Sequence, residues 1–591
     1  MLDAQAARRG RLGILTALVV ASLVVAITAG VPTGVRAEES QADEDYTLTL
    51  LHNNDGESQL VDAGSGLEDF GGIARFVTRA RMEQRAGERG GDRGVLTVSS
   101  GDNFLAGPEF NASLEKGRPH YDAIGLERVR YDAIAIGNHD FDFGPDVLAD
   151  FIGSFKDVPF LSSNLDVSAE PLLQRLKDKG RIADSVIVSR DGEDFGIIGA
   201  TTPLLPFISS PRDVVVNDDV AGEIQDEVAA LESSGVDKII LISHLQSITE
   251  DLDLATQLSG VDIMVAGGGD EVLANPDDVL VPGDESIVFG PYPLIATDAD
   301  GGEVPVVTTK GSYTYLGKLV AEFDADGNVT EVDDGSGPLR VAGGAQPDAV
   351  EPDTFVMVKV VEPIIEALAE LAQNVIGTSE VDLDGRRTEV RTKETNEGNL
   401  ATDALLWQAQ QLAGEFGVAS PQIALQNAGG IRNDNIIPAG PITELHTFDM
   451  LPFANFVSVV PAVSRDTFKA LLENAVSRVE FVDGRFAQIA GFSFTYNPAA
   501  AAGARVVSAT LDGGTPIIQN GAVVAGPALD IATIDFLARG GDQYPYGGAP
   551  FTTLGVTYQQ SLENYIVDGL GGQITAADYP VGGEGRITPL N

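Results

Sequence analysis

Ile136-Gly137-Asn138-His139-Asp140-Phe141-Asp142-Phe143-Gly144 is the stretch that decides how this chain is read. It follows a mostly apolar, β-prone run from Tyr131 to Ile136, and Gly137 stops that run just before one amide, one imidazole and two carboxylates. Such a cluster can hold a cation and handle a proton. In isolation an Asn-His pair reads as a turn with an incidental histidine. Repetition of the design overturns that reading. Strand-like runs also end in polar, potentially ligating tips at Leu48–Leu51 (then His52-Asn53-Asn54-Asp55-Gly56-Glu57), at Val95–Val98 (then Gly101-Asp102-Asn103), at Ile239–Ile242 (then His244) and at Ile263–Ala266 (then Gly267-Gly268-Gly269-Asp270). Helix-compatible segments lie between most of them. In α/β sheets ligands gather at the carboxyl ends of strands, so these tips are expected to converge on one crevice.

Working outward, Gly72–Arg89 and Ala221–Ser233 read as helices with charged faces, and Phe195–Ala200 as a short apolar strand. Residues 41–335 form one expected α/β domain, and 376–591 a second. Between them, 336–375 is expected to be linker and bridging helix, because Asp333–Asp353 is rich in Gly, Pro and acids and Val356–Val375 is helix-like. Residues 1–37 read as a signal peptide: Arg8, Arg9 and Arg11 precede an apolar run from about Leu12 to Ala29, and Val35-Arg36-Ala37 suits a signal peptidase. The expected location is therefore secreted, periplasmic or at the cell surface, with no stable membrane anchor once the signal is cleaved. An uncleaved anchor is the weaker alternative, because the run approaches spanning length but exits through small residues.

The 591 residues contain no cysteine, so neither disulfides nor thiolate ligands are available. With 88 acidic against 38 basic residues the net charge is −50, which argues against a nucleic-acid polymer or an anionic membrane as the main partner.

The set Asp55, Gly101-Asp102, Gly137-Asn138-His139, His244 and a final Gly-rich tip resembles the calcineurin-like metallophosphatases, and specifically the secreted 5′-nucleotidase family. The resemblance extends through Glu394-Thr395-Asn396-Glu397-Gly398-Asn399-Leu400, Asn427-Ala428-Gly429-Gly430-Ile431-Arg432, Leu451-Pro452-Phe453, Phe486-Ala487-Gln488 and Phe536-Leu537-Ala538-Arg539-Gly540-Gly541-Asp542. It implies an α/β fold: a layered α/β-β/α metallophosphatase-like sandwich followed by a separate C-terminal α/β domain that binds substrate. The implied activity is metal-dependent hydrolysis of nucleotides to nucleoside and phosphate. Alternatives are other phosphoesters, such as cyclic nucleotides or general phosphomonoesters, or a catalytically impaired nucleotide-binding protein.

The resemblance also implies roles. His139 and Asp142 match a catalytic dyad in which the imidazole is not a metal ligand. Asp55, Glu57, Asp102, Asn138, His244 and Asp270 fall at metal-ligand positions, with Asp102 bridging. Phe486 and Phe536 match a ring pair that sandwiches the base. Asp542 matches a ribose-facing carboxylate, and Arg391, Asn427 and Arg432 match positions that grip phosphate or ribose. The Lys310–Gly317 segment is expected only to pack and turn.

Three departures bear on the metals. Glu57 stands where the family has histidine, Gly268 has no ligating side chain, and Asp270 replaces a second histidine. One or two divalent ions are expected, with Mn²⁺, Mg²⁺ or Ca²⁺ favoured at an all-oxygen first position of Asp55, Glu57, Asp102 and Asp270, and Zn²⁺ possible. The second ion, on Asp102, Asn138 and His244, is expected to be weaker unless Glu271 fills the gap, and Gly268→His is expected to tighten it.

Overall fold

The computed structural model describes residues 46–64, 66–89, 93–269, 271–453 and 455–590. The expected signal peptide over 1–37 and the expected ligand Asp270 lie outside the described residues.

Strand Tyr46–Asn53 is buried along its whole length. It pairs in parallel with Arg93–Ser99, which is followed in the sheet by Ala133–Ala135, Phe160–Leu161 and Ile182–Ala183, while Tyr315–Phe323 adds antiparallel on its other side. The period-2 alternation of these strands separates two cores. Leu48, Leu50, Leu96, Val98, Ala133 and Ala135 point toward a second sheet, whereas Leu51, Val95, Ile134 and Ile136 face helices that include Ile73–Gly87 and Pro145–Ile152.

The second sheet runs Leu294–Thr297, Glu303–Val307, Ile263–Gly267, Lys238–His244, Glu193–Thr201, Ser185–Arg190. Its four inner strands are parallel. Helices Val220–Ser233 and Ile248–Ala255 cover it with Val228, Leu231 and Leu254. The result is the expected helix, sheet, sheet, helix sandwich. Phe195 joins the layers, its ring centroid 5.6 Å from that of Tyr46 and 5.8 Å from that of Phe323. At the carboxyl edge the sheets are stitched by Ser100 Oγ donating to Val265 O (2.8 Å) and Thr201 Oγ1 donating to Ile136 O (2.6 Å).

The stretch expected as linker is partly built into the first sheet. Gly337–Arg340 pairs antiparallel with Tyr315–Lys318, and Arg340 is fixed by Asp348 and by Leu280 O. Composition misleads here because hairpin turns and linkers draw on the same Gly, Pro and Asp. A continuous helical run then follows, Thr354–Val356, Met357–Val361 and Glu362–Gln373, close to the expected bridge.

Beyond it, a five-stranded sheet is ordered Ala487–Ala490, Ile423–Asn427, Leu529–Ile534, Phe456–Val463, Thr552–Thr557. A further five-stranded sheet and helix Asn396–Leu412 pack around it in a separate core. Among the described residues no helix is long and apolar enough to cross a membrane.

Candidate active site

Because the inner strands of the first body are parallel, their tips emerge on one edge: Asn53 lies opposite Ser99, and His244 opposite both Gly267 and Thr201. The turns beyond them are tight. Asp55, Glu57, Ser58 and Asp102 all adopt left-handed backbone angles, φ 48° to 56°, which cost non-glycine residues about 1–3 kcal/mol each. Asp55 N donates to Gly101 O (3.1 Å), Glu57 N to Asp102 O (3.0 Å) and Ser312 N to Asp55 O (2.6 Å), and these bonds hold the turns. The Lys310–Gly317 segment thus supports the Asp55 turn, with Tyr313 buried beneath it. Gly137 is required by close approach: a Cβ there would lie 2.1 Å from Asp102 Oδ1.

At the centre, His244 Nε2 is 2.9 Å from Asp102 Oδ2, 3.2 Å from Asn138 Oδ1 and 3.9 Å from Asp55 Oδ1. Its Nδ1–H donates to Ser100 O, which presents Nε2 to the carboxylates. Burial disfavours the imidazolium of His244, yet Asp102 and Asp55 outweigh it and push its pKa up to about 10. This donor set fits a divalent cation. Among the described residues, Asp55, Asp102 and His244 are the acidic or imidazole donors gathered in threes within 4.8 Å of one another, and the carboxylates that favour a proton on Nε2 would equally favour a cation in its place. Glu57 lines the same cavity but stands outside that group. Burial raises its pKa to about 7, opposed by His139.

Gly268 contributes its backbone instead of a side chain, donating its N–H to Asp55 Oδ2 at 3.0 Å. The expected benefit of Gly268→His is contradicted by this backbone: φ is +83° and a Cβ would lie 1.8 Å from Leu245 O. Glu271 accepts from Ile248 N (3.3 Å) at the start of the preceding helix Ile248–Ala255.

His139 N donates to Asp102 Oδ1 (2.8 Å), and its Nδ1 donates to Asp142 Oδ2 (2.8 Å). Asp142 Oδ1 in turn accepts from Ser209 Oγ (2.9 Å). Burial opposes the charged form of His139, but Asp142, Asp102 and Glu57 prevail and raise it to about 9. Ser209 and Gln246, whose Nε2 donates to Asn138 Oδ1 (2.9 Å), were not singled out from the sequence. No local motif marks either one.

A cavity of about 190 Å³ is lined by Asp55, Glu57, Asp102, Asn138, His139, Gln246, Gly268 and Gly269 from the first body, and by Arg387 and Arg432 from the second. Arg387 was missed, although it stands one helical turn before Arg391. Arg391 itself is buried, and burial, with Arg387 and Arg432 nearby, lowers it to about 9. Asn427 Nδ2 donates to Asp542 Oδ2 (2.6 Å), so these two expected substrate residues do meet. Burial raises Asp542 to about 6.

The two expected base-stacking rings, Phe486 and Phe536, differ in burial. Phe486 is fully buried within the second core. Phe536 is half-buried and crowds Gly541, next to Asp542. Phe453 stands beside two of the lining residues: its ring centroid is 6.4 Å from that of His139 at an interplanar angle of 20°, and the Arg432 guanidinium is 5.6 Å from its centre. Its Leu451-Pro452-Phe453 motif was noted in the sequence without a role.

Paired sheets with carboxylates, an amide and imidazoles at their tips, joined to a second α/β body that supplies arginines, define a two-domain fold of the calcineurin-like phosphoesterase class. Residues 375–547 match the family described as 5′-nucleotidase, C-terminal domain. A 5′-nucleotidase of Diplobatis ommata is 30% identical over 517 residues, 84% of this chain and 83% of that protein. The trifunctional nucleotide phosphoesterase of Bacillus subtilis is 28% identical over 84% of this chain and 32% of its own length. The crystal structure of a 5′-nucleotidase precursor from Thermus thermophilus superposes with a TM-score of 0.72 at 33% identity, covering 92% of this chain and all of that one. The chain belongs to the 5′-nucleotidase family.

Proposed function

We propose that this hydrolase of phosphoester bonds is an exported, metal-dependent enzyme that splits nucleotides into nucleoside and phosphate. The observation that carries the reading is the single cavity in which Asp55, Asp102, Asn138 and His139 face Arg387 and Arg432. Asp55, Asp102, Asn138 and His244 would hold a divalent cation, and three oxygen donors with one imidazole suit Mn²⁺ or Mg²⁺, with Zn²⁺ as competitor. Such an ion supplies Lewis-acid activation of water and neutralises phosphoryl charge.

The side chains of the chain do the rest. Arg387 and Arg432 take phosphoryl oxygens through their guanidinium forks. His139, oriented by Asp142 and Ser209, gives a proton to the departing O5′ as water adds to phosphorus and the P–O5′ bond breaks. Asp542, held by Asn427, accepts from ribose hydroxyls, and the half-buried rings Phe453 and Phe536 offer the base its stacking surfaces. In this reading the catalytic domain extends through Arg340, and the nucleotide-binding domain begins near residue 376. The intact His139–Asp142 pair counts against a capture protein without turnover. Export rests on the N-terminal segment read from the sequence.

Phosphate release from AMP by the purified protein under Mn²⁺, Mg²⁺, Ca²⁺ and Zn²⁺, beside equilibrium binding of adenosine, tests this. Release that requires a divalent cation is expected. Adenosine binding without release under every ion would refute the catalytic reading.

A further inference from the structure

Beneath the two arginine-bearing turns lies a buried pair that the proposed reaction does not use. Glu397, in the first turn of helix Asn396–Leu412, has no exposed surface, and its Oε2 accepts a hydrogen bond of 3.1 Å from Asn433 Nδ2. Glu397 Oε1 and Asn433 Oδ1 are both buried without a hydrogen-bond partner. Both also lie within 2.2 Å of the point that a Cβ at position 385 would occupy. Two acceptors crowded together with no donor between them cost about 1–3 kcal/mol each. Exchanging the amide O and N of Asn433 only transfers the conflict to the other carboxyl oxygen. A proton on Oε1 removes it, because the acid then donates to Oδ1 while accepting from Nδ2, closing a two-bond ring between acid and amide.

The surroundings favour that proton. Burial raises Glu397 to about 8; the Asn433 bond opposes the rise, and Asp384 and Asp449 reinforce it. Asp384 faces the pair from its strand and is itself paired with Arg386, and Asp449, on helix Glu444–Met450, is raised to about 6 by burial. The other charged groups of the two turns are Arg387, Arg432 and Asp434.

The pair sits where two chain segments are fastened together. Gly385 N donates to Asn435 O (3.0 Å), and Arg387 N donates to Asp434 Oδ1 (2.6 Å). Gly385 has no Cβ to displace the ring below it. Arg387 is two residues beyond Gly385, and Arg432 immediately precedes Asn433. We propose that Glu397, as a neutral acid ringed to the Asn433 amide, is a positioning residue that sets the spacing at which Arg387 and Arg432 meet one phosphate group. This rests on the reading of those arginines as the phosphate grip. Ionisation of Glu397 sets a carboxylate against Asn433 Oδ1, opens the ring and loosens the grip.

Glu397→Gln keeps the two-bond geometry as an amide pair and cannot ionise. KM and kcat for AMP, measured from pH 6.5 to 9.5 with Mn²⁺, should show wild-type KM climbing above about pH 8 while kcat follows its own profile. Glu397→Gln should remove that climb, and Glu397→Ala should raise KM about tenfold at neutral pH, the loss of roughly one net hydrogen bond. Calorimetric binding of inorganic phosphate should follow the same order. A Glu397→Gln variant whose KM climbs as in wild type would overturn this inference, even if Glu397→Ala fails to fold. Arg432→Ala separates the two readings: unchanged phosphate affinity there would overturn the arginine grip and this inference with it, whereas weakened phosphate binding in Arg432→Ala with no effect of either Glu397 substitution would overturn this inference alone.

Discussion

Gly268→His is the substitution on which family pattern and structure disagree outright, and its cost is worked from the backbone. At φ +83° any side chain carries strain of about 1–3 kcal/mol. The new Cβ would lie 1.8 Å from Leu245 O, a backbone atom that cannot rotate away. Either the Leu245 peptide or the Gly268 turn must move. Leu245 directly follows His244, and the Gly268 N–H supports Asp55 Oδ2 at 3.0 Å, a bond to a charged acceptor worth about 1.5–3 kcal/mol. The combined penalty is roughly 3–6 kcal/mol, concentrated on two donors of the cation site. Thermal unfolding should fall by several degrees, and calorimetric titration with Mn²⁺ should show affinity at least about tenfold weaker. Gly268→Ala should reproduce most of the loss, because the collision begins at Cβ. A histidine variant that melts with the wild type and binds Mn²⁺ more tightly would refute this reasoning.

His139→Ala should leave metal content and nucleotide affinity nearly intact while lowering kcat by about 10² to 10⁴, and elemental analysis of the variant checks the first half. Phe453→Ala and Phe536→Ala should weaken AMP recognition more than hydrolysis of an aryl phosphate without a base. Phe486→Ala should instead destabilise the fold by about 3–5 kcal/mol and penalise both substrates alike, readable by comparing kcat/KM with melting. Asp122, fully buried and accepting from Ser58 and Ser113 Oγ, is raised by burial from 3.8 to about 6. Its folded pKa exceeds its unfolded one, so its contribution is complete below about pH 4 and is lost as pH rises through 6. Asp122→Asn should therefore gain on wild type by about 3 kcal/mol between pH 4 and 7 in denaturant titrations, and a constant difference would contradict the assignment.

The sandwich was legible in the sequence because parallel strands buried on both faces must be apolar throughout, and runs such as Ile239–Ile242 stop abruptly at polar tips. The same feature exposed Asp55, Asp102, Asn138, His139 and His244. The full burial of Phe486 was not legible, because a motif does not tell how deeply its aromatic ring sits in the core. Only the approach of the two bodies shows that Arg387 shares a cavity with His139 and that the Phe453 ring lies beside that histidine. Glu397 looked like any helix-starting acid. Its meaning comes from Asn433, distant in sequence, and from a glycine at 385 that lets the two meet.

The most direct test of the central claim is a crystal structure with a nonhydrolysable AMP analogue and Mn²⁺, with the ion placed by its anomalous signal. The account predicts manganese among Asp55, Asp102, Asn138 and His244, and the phosphonate between it and the guanidinium groups of Arg387 and Arg432. Phosphonate bound away from these arginines, or manganese bound elsewhere with that donor set empty, would contradict it.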